Sequence, residues 1–354
     1  MNIAIRVDAS IDIGSGHVMR CLTLAEQFRE NGDNVIFICR ETWGSKEALI
    51  KENGFSVHSL PFIQGPLKLW MLSNWQIDAY ETNKILVVKN IDLLILDHYA
   101  IDSNWESKVK TNNLKVLVID DGEERYHNCE IFLNPTYGAQ NNKKQYELLC
   151  GKNTLFLLGT NFMILREEFD NIKSSFQINS SKIYMHVFFG GMDFNNYTLK
   201  FSEFLVGEFD FIHLLIVVGK DYEFDSELEE LKQQYNKQIT IYKNITNMAE
   251  IMKRCHVAFG APGTTTWERA ALGIPSAYLS TADNQIQILK QLSSENICLY
   301  LGEADKLGKK GFLKYMKKFL FDREKLSIYE NNSKKIININ GKKQIVNAVK
   351  GWLS

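Results

Sequence analysis

The sequence predicts an α/β protein made of two doubly wound parallel-sheet domains that face each other across a cleft. Three observations carry this. Short apolar runs without alternation, such as Leu93-Leu94-Ile95-Leu96, are separated by helical patterns, as in strands buried on both faces. The strand–helix alternation runs through the first half, breaks in a polar stretch between Arg166 and Ser181, and starts again at Ile183. A chain of 354 residues is also longer than one core usually organises. Domains are expected at 1–170 and 171–335, with a C-terminal helix at 336–354.

The elements follow in order. Residues 3–7 alternate as a strand, and Val18, Cys21, Leu22, Ala25 and Phe28 fall on one face of a helix stopped at Asn31-Gly32. Strands are expected at 35–39, 56–58, 92–97, 115–121, 131–133 and 155–158. Helices are expected around 46–53, after Pro66 and over 104–110. In the second half, strands at 183–189, 211–218, 239–242, 257–259, 276–279 and 297–301 alternate with helices at 195–206, 226–235 and 247–254. From Glu303 the chain is lysine-rich and helical in pattern. Sparse aromatic interleaving makes that stretch a solvated face and not a nucleic-acid patch.

Composition narrows the function. Hydrophobic residues make up 45% and charged residues 23%, and the formal net charge is −1, so no overall field favours nucleic acid or an anionic membrane. Six scattered cysteines without a C-x-x-C pair argue for reduced thiols and against zinc. The chain opens directly on a strand and its apolar runs are too short to cross a bilayer. A cytoplasmic protein is expected, monomeric, without a cofactor, a metal, or a membrane or nucleic-acid partner.

Three loops carry candidate chemistry. Asp8 to Arg20 runs from strand through Gly14-Ser15-Gly16 into a helix, which brings a ligand to a helix N-terminus. His17 stands in the first helical turn, where a neutral imidazole is suited to take a proton from water. The spacing is not Gly-x-Gly-x-x-Gly and no acidic residue ends a strand about 20 residues on, which excludes a dinucleotide fingerprint. Asp8 reads mainly as a brace for the glycine loop. Gly190-Gly191 ends the first strand of the second half, where free backbone N–H groups suit a phosphate or simply turn the chain. Gly263-Thr264-Thr265-Thr266-Trp267-Glu268-Arg269 offers hydroxyls and N–H groups for a diphosphate, with Glu268 placed to accept ribose hydroxyls. The competing reading is that Thr265 and Glu268 form a capping box. Asp283-Asn284-Gln285 opens a later helix. His98 follows a strand end, a functional location, but fits a solvated loop residue as well; His186 and His213 read as structural, and His58, His127 and His256 attract no role. Asp120 and Asp121 are adjacent on a strand and point to opposite faces, so they do not make a metal pair.

Taken together, these stretches resemble the UDP-2,4-diacetamido-2,4,6-trideoxy-β-L-altropyranose hydrolases of pseudaminic acid biosynthesis, related to MurG-type glycosyltransferases of the GT-B fold. The carrying residues are Arg6-x-Asp8-Ala9-Ser10, Gly14-x-Gly16-His17-x-Met19-Arg20-Cys21, Asp97-His98-Tyr99, Ile119-Asp120-Asp121, Asn134-Pro135, Leu165 to Phe169, Gly190-Gly191 and Gly263 to Arg269. The resemblance implies that His17 activates water and that Tyr99 lines the sugar pocket. It further implies that Glu268 and the Gly263–Thr266 loop hold UDP, and that Asn284 and Gln285 touch the substrate. Asp8, Gly14, Gly16, Arg20, Gly190 and Gly191 complete the expected binding set, and the C-terminal helix is expected to return to the first domain. One departure is Met192, where the family usually has serine after the second-half glycines. The rivals are a GT-B glycosyltransferase, for which the apolar stretch 61–75 offers an acceptor surface, and a non-catalytic sugar-nucleotide sensor.

Overall fold

Thirteen parallel strands form two separate sheets in a computed structural model that describes residues 1–8, 16–111, 113–122, 125–170 and 182–353. The chain divides into unit 1, Met1–Glu167 with Asn338–Ser354, and unit 2, Glu168–Ile337.

Unit 1 follows the order β1 (Asn2–Val7), α1 (Gly16–Glu30), β2 (Asn34–Arg40), α2 (Glu47–Glu52), β3 (Ser56–Leu60), α3 (Leu67–Val88), β4 (Leu93–Asp97), α4 (Ser103–Val109), β5 (Lys115–Ile119), β6 (Ile131–Asn134), α5 (Lys143–Cys150) and β7 (Leu155–Leu158). The sheet order is β3-β2-β1-β4-β5-β6-β7. Every residue of β4 is buried, because helices cover both faces of the sheet. One face packs Ile3, Ile5, Ile95 and Leu117 against Val18, Cys21, Ala25 and Phe28 of α1 and against Ile345, Val346 and Val349 of the C-terminal helix, Gly341–Leu353. The other packs Ala4, Leu94 and Val116 against Met71, Ala79 and Leu86 of α3 and Trp105 of α4. α1 ends as its Asn31-Gly32 pair suggests: Gly32 takes φ +81°, and the amides of Gly32 and Asp33 bond back to Arg29 and Phe28. α3 kinks at Asn74, whose side-chain amide donates to the Trp70 carbonyl.

Unit 2 runs β8 (Ile183–Phe188), α6 (Tyr197–Val206), β9 (Ile212–Val218), α7 (Asp225–Gln234), β10 (Ile239–Lys243), α8 (Met248–Met252), β11 (Val257–Gly260), α9 (Thr264–Ala271), β12 (Ser276–Ser280), α10 (Ile286–Ser294), β13 (Leu299–Glu303), α11 (Lys309–Phe321) and α12 (Arg323–Lys335). Its sheet order is β10-β9-β8-β11-β12-β13. Phe189, Phe201, Phe259 and Phe312 form an aromatic centre for its largest core. The lysine-rich tail becomes two amphipathic helices: Phe312, Met316, Phe319 and Leu320 of α11 are buried, and the lysines lie outward.

Candidate functional site

Ligands of doubly wound sheets settle where neighbouring strands send their connections in opposite directions. In unit 1 that point lies between β1 and β4, paired Val7 to Asp97. In unit 2 it lies between β8 and β11, paired Phe188 to Gly260.

The unit 1 point holds a tight polar cluster. His17 lies in the first turn of α1 and Arg20 one turn later on the same face. His17 Nδ1 is 2.6 Å from Asp97 Oδ1, and Arg20 grips the same carboxylate through Nε and Nη2, both at 2.6 Å. Arg20 Nη1 pairs with Asp121, whose other oxygen accepts from the Tyr99 hydroxyl at 2.8 Å. The Tyr99 ring meets His17 edge-on, with centroids 4.6 Å apart. Burial alone would raise the Asp97 carboxyl, but the Arg20 charge and the bonds from Arg20 and His17 outweigh it and hold it well below the usual carboxylate range. Asp97 is therefore an acceptor, which assigns the Nδ1 proton to His17 even though Arg20 Nη2 lies 3.2 Å from the same nitrogen. Among the described residues Nε2 has no hydrogen-bond partner. Burial and Asp121 push the Tyr99 phenol up, so it stays a donor.

Behind this cluster lies a second, fully buried one. Asp8 accepts from Arg6 at 2.5 Å and from the Arg40 amide at 2.6 Å, and faces His98 Nε2 at 3.1 Å. Asp78 takes Arg6, Arg40 and the Trp105 indole. Asp8 is thus a brace for strand ends and α3, with no exposed carboxylate for a substrate, and His98 is buried, not solvated. Arg20, partly exposed, pairs with Asp97 and Asp121. His127, given no role from sequence, sits between Glu106 and Asp120 at 2.7 and 3.0 Å. Burial opposes its charge, but those two bonds prevail and raise its pKa to about 9. Gly14 and the rest of the glycine loop lie outside the described residues, and Gly16 opens α1 in an exposed position.

In unit 2 the end of β8 and the loop after it lie close to the backbone that ends β11 and to that which follows β9. A Cβ on Gly260, φ +150°, would meet the Phe188 carbonyl at 1.8 Å, and one on Gly219 would meet Gly191 at 2.0 Å. The N-terminus of α6 is occupied by its own chain: Asp193 accepts from Tyr197 and Thr198, and Asn196 from Leu199. That of α9 differs. Its N-cap is Gly263, which has no side chain to accept from the first-turn amides, and the amides of Thr264 and Thr265 have no intrahelical partner. Thr266 Oγ1 accepts from the Gly263 amide at 3.2 Å and the Thr266 amide donates to the Gly263 carbonyl, so the N-cap is Gly263 and not Thr265. Glu268 is buried, 2% exposed. Gln285 turns its amide oxygen back to Thr281, and Asn284 is exposed. Gly190 takes φ +104°.

Among the described residues no group of three His, Cys, Asp or Glu side chains could hold a metal, and no helix is long and apolar enough to cross a membrane.

No protein-family model matches the chain. An uncharacterised protein of Methanocaldococcus jannaschii is 32% identical over 294 residues, 79% of this chain and 55% of that protein, so this chain spans about half its length. The UDP-2,4-diacetamido-2,4,6-trideoxy-β-L-altropyranose hydrolase of Campylobacter jejuni is 27% identical over 292 residues, 75% of this chain and 96% of that enzyme. This chain resembles that hydrolase. Among solved structures, MurG of Acinetobacter baumannii superposes with a TM-score of 0.71 over 99% of both chains at 12% identity. Two parallel sheets of seven and six strands with flanking helices match this GT-B glycosyltransferase architecture.

Asp97, the residue that orients His17, was within reach of sequence reading. An acid at the carboxyl end of a fully buried strand is the signal, but pairing it with a histidine 80 positions away requires the β1–β4 adjacency.

Proposed function

We propose that this chain is an enzyme acting on a sugar nucleotide, and that it hydrolyses a UDP-linked diacetamido-trideoxy sugar to free sugar and UDP. The observation that carries the reading is the Asp97–His17 pair at the β1–β4 switch point, with Nδ1 anchored and Nε2 left as base. In this mechanism His17 Nε2 removes a proton from water, the water oxygen bonds to the anomeric carbon, and the bond from that carbon to the diphosphate oxygen breaks. UDP departs with the electron pair. Asp97 steadies the imidazolium that forms. Unit 2 supplies the nucleotide grip through the uncapped amides of α9 and the glycines after β8, which stabilise the departing diphosphate. The resemblance to the Campylobacter hydrolase supports the substrate class.

The test is incubation with a panel of UDP-amino-sugars and no acceptor. Release of UDP with free sugar, unaffected by EDTA, is expected. Turnover only when an acceptor is added would instead make the chain a glycosyltransferase.

A further inference from the structure

Three arginines are fully buried: Arg6, Arg40 and Arg269. Arg6 and Arg40 each meet carboxylates. Arg269 meets none among the described residues. Its Nε donates to His186 Nδ1 at 3.2 Å, its Nη2 donates to the Phe259 carbonyl at 3.3 Å, and its guanidinium carbon lies 5.4 Å from the centre of the Tyr278 ring. Nη1 is buried without a partner. His186 does not balance the charge. Burial and Arg269 hold its pKa well below the ordinary value, so it is neutral and accepts on Nδ1. A guanidinium stays protonated in any protein setting. The core of unit 2 therefore holds a buried guanidinium that no carboxylate among the described residues pairs with directly, an arrangement that a nearby anion relieves.

Its place says where that anion comes from. Phe259 directly precedes Gly260, the last residue of β11, and His186 lies on β8. The guanidinium is thus anchored at the strand ends that make the β8–β11 switch point, one residue before the end of β11 and two before the end of β8. That loop presents the uncapped amides of Thr264 and Thr265. The helix after β8 is closed by Asp193, leaving α9 as the seat.

We infer that Arg269 is the buried counter-charge for the diphosphate of a nucleotide seated at the N-terminus of α9, setting the preference for nucleoside diphosphate over nucleoside without touching the ligand. This deepens the nucleotide-binding part of the function proposed above and rests on it. At an effective dielectric of about 20, unit charges several ångströms to about 8 Å apart alter affinity by about thirtyfold or more, so a tenfold effect is a conservative expectation.

The experiment compares UDP and uridine binding by calorimetry. The unaltered chain binds UDP at least tenfold more tightly than uridine. In Arg269→Met the ratio of uridine to UDP dissociation constants falls by about tenfold or more, while uridine affinity holds. Arg269→Lys, which keeps the charge and changes the hydrogen bonds, retains the preference. Equal affinity of the unaltered chain for UDP and uridine would overturn the inference, a result that needs no variant to fold. An unchanged ratio in Arg269→Met would overturn it too. A chain that shows the Arg269-dependent preference yet releases no UDP from any UDP-sugar upholds this assignment and sinks the hydrolase reading alone.

Discussion

At His17 the chemistry depends on which ring nitrogen is spoken for. Asp97 fixes Nδ1, so Asp97→Asn removes both the orientation and the charge that steadies the imidazolium. It is expected to lower kcat on the order of 10² or more, measured as UDP release with UDP affinity as control. The same change strips Arg20 of its main partner and is expected to destabilise unit 1 by about 3–5 kcal/mol, read from urea unfolding. Tyr99 acts differently. Its hydroxyl is committed to Asp121 and its ring walls His17, so Tyr99→Phe is expected to keep kcat within about tenfold while raising KM, because a wall is loosened and no proton carrier is lost. His127 supplies a pH signature. Its folded pKa of about 9 exceeds the ordinary 6.5, so its charged form stabilises the fold fully below about pH 6.5, and that contribution is lost as pH rises through 9. The gap in urea midpoint between the unaltered chain and His127→Gln should narrow over that window; a constant gap would contradict the ion-pair reading. At this scale the sequence pointed to His17, Tyr99 and Arg20, which the fold gathers into one cluster. It did not separate ligand-facing from framework residues. Asp8 and Glu268 look alike in the sequence as acids next to glycine loops and both are buried; only the fold shows that Asp8 is held among Arg6, Arg40 and His98.

The elements explain where those side chains converge. Each switch point comes from one short strand leading into one helix: β1 into α1, and β11 into α9. In unit 2 the geometry is enforced by backbone contact, since Gly260 leaves no room for a side chain against Phe188. Gly260→Ala combines that clash with a φ of +150° and is expected to cost roughly 1–3 kcal/mol or more, seen as a lowered Tm together with weakened UDP binding. Wild-type stability in that variant would mean the two loops are not held as described. Strand and helix patterns were readable because buried parallel strands are short unbroken apolar runs. The limits were harder. The last strand is offset by two residues, to Leu299–Glu303, because Ile297 and Cys298 are buried ahead of it and carry the same apolar signal. The competing capping-box reading at α9 had the right spacing in Thr265 and Glu268, but the helix begins at Thr264 with Gly263 as its N-cap, two residues ahead of Thr265.

For the whole molecule, two seven- and six-stranded parallel sheets give two switch points of different chemistry. One has a histidine held by a carboxylate, with arginine charge neutralised by Asp97 and Asp121. The other has a helix start with Gly263 as N-cap and, on the same helix, a buried arginine that pairs with no carboxylate among the described residues. The polar break near residue 170 and the restart of the alternation made the two sheets legible. The return of the C-terminal helix to the unit 1 core was implied by the family resemblance and not by any pattern in residues 341–353. The division of charge between the sheets was not legible, because it depends on which arginines meet acids in three dimensions. The central claim is that His17 is the base for water attack on a UDP-sugar. Its most direct measurement is turnover of the UDP-diacetamido-trideoxy sugar without acceptor by the unaltered chain and by His17→Ala, with UDP affinity recorded for both. The account predicts a loss of about 10²–10⁴-fold in kcat with UDP affinity retained. Turnover by His17→Ala within a few-fold of the unaltered chain would contradict it.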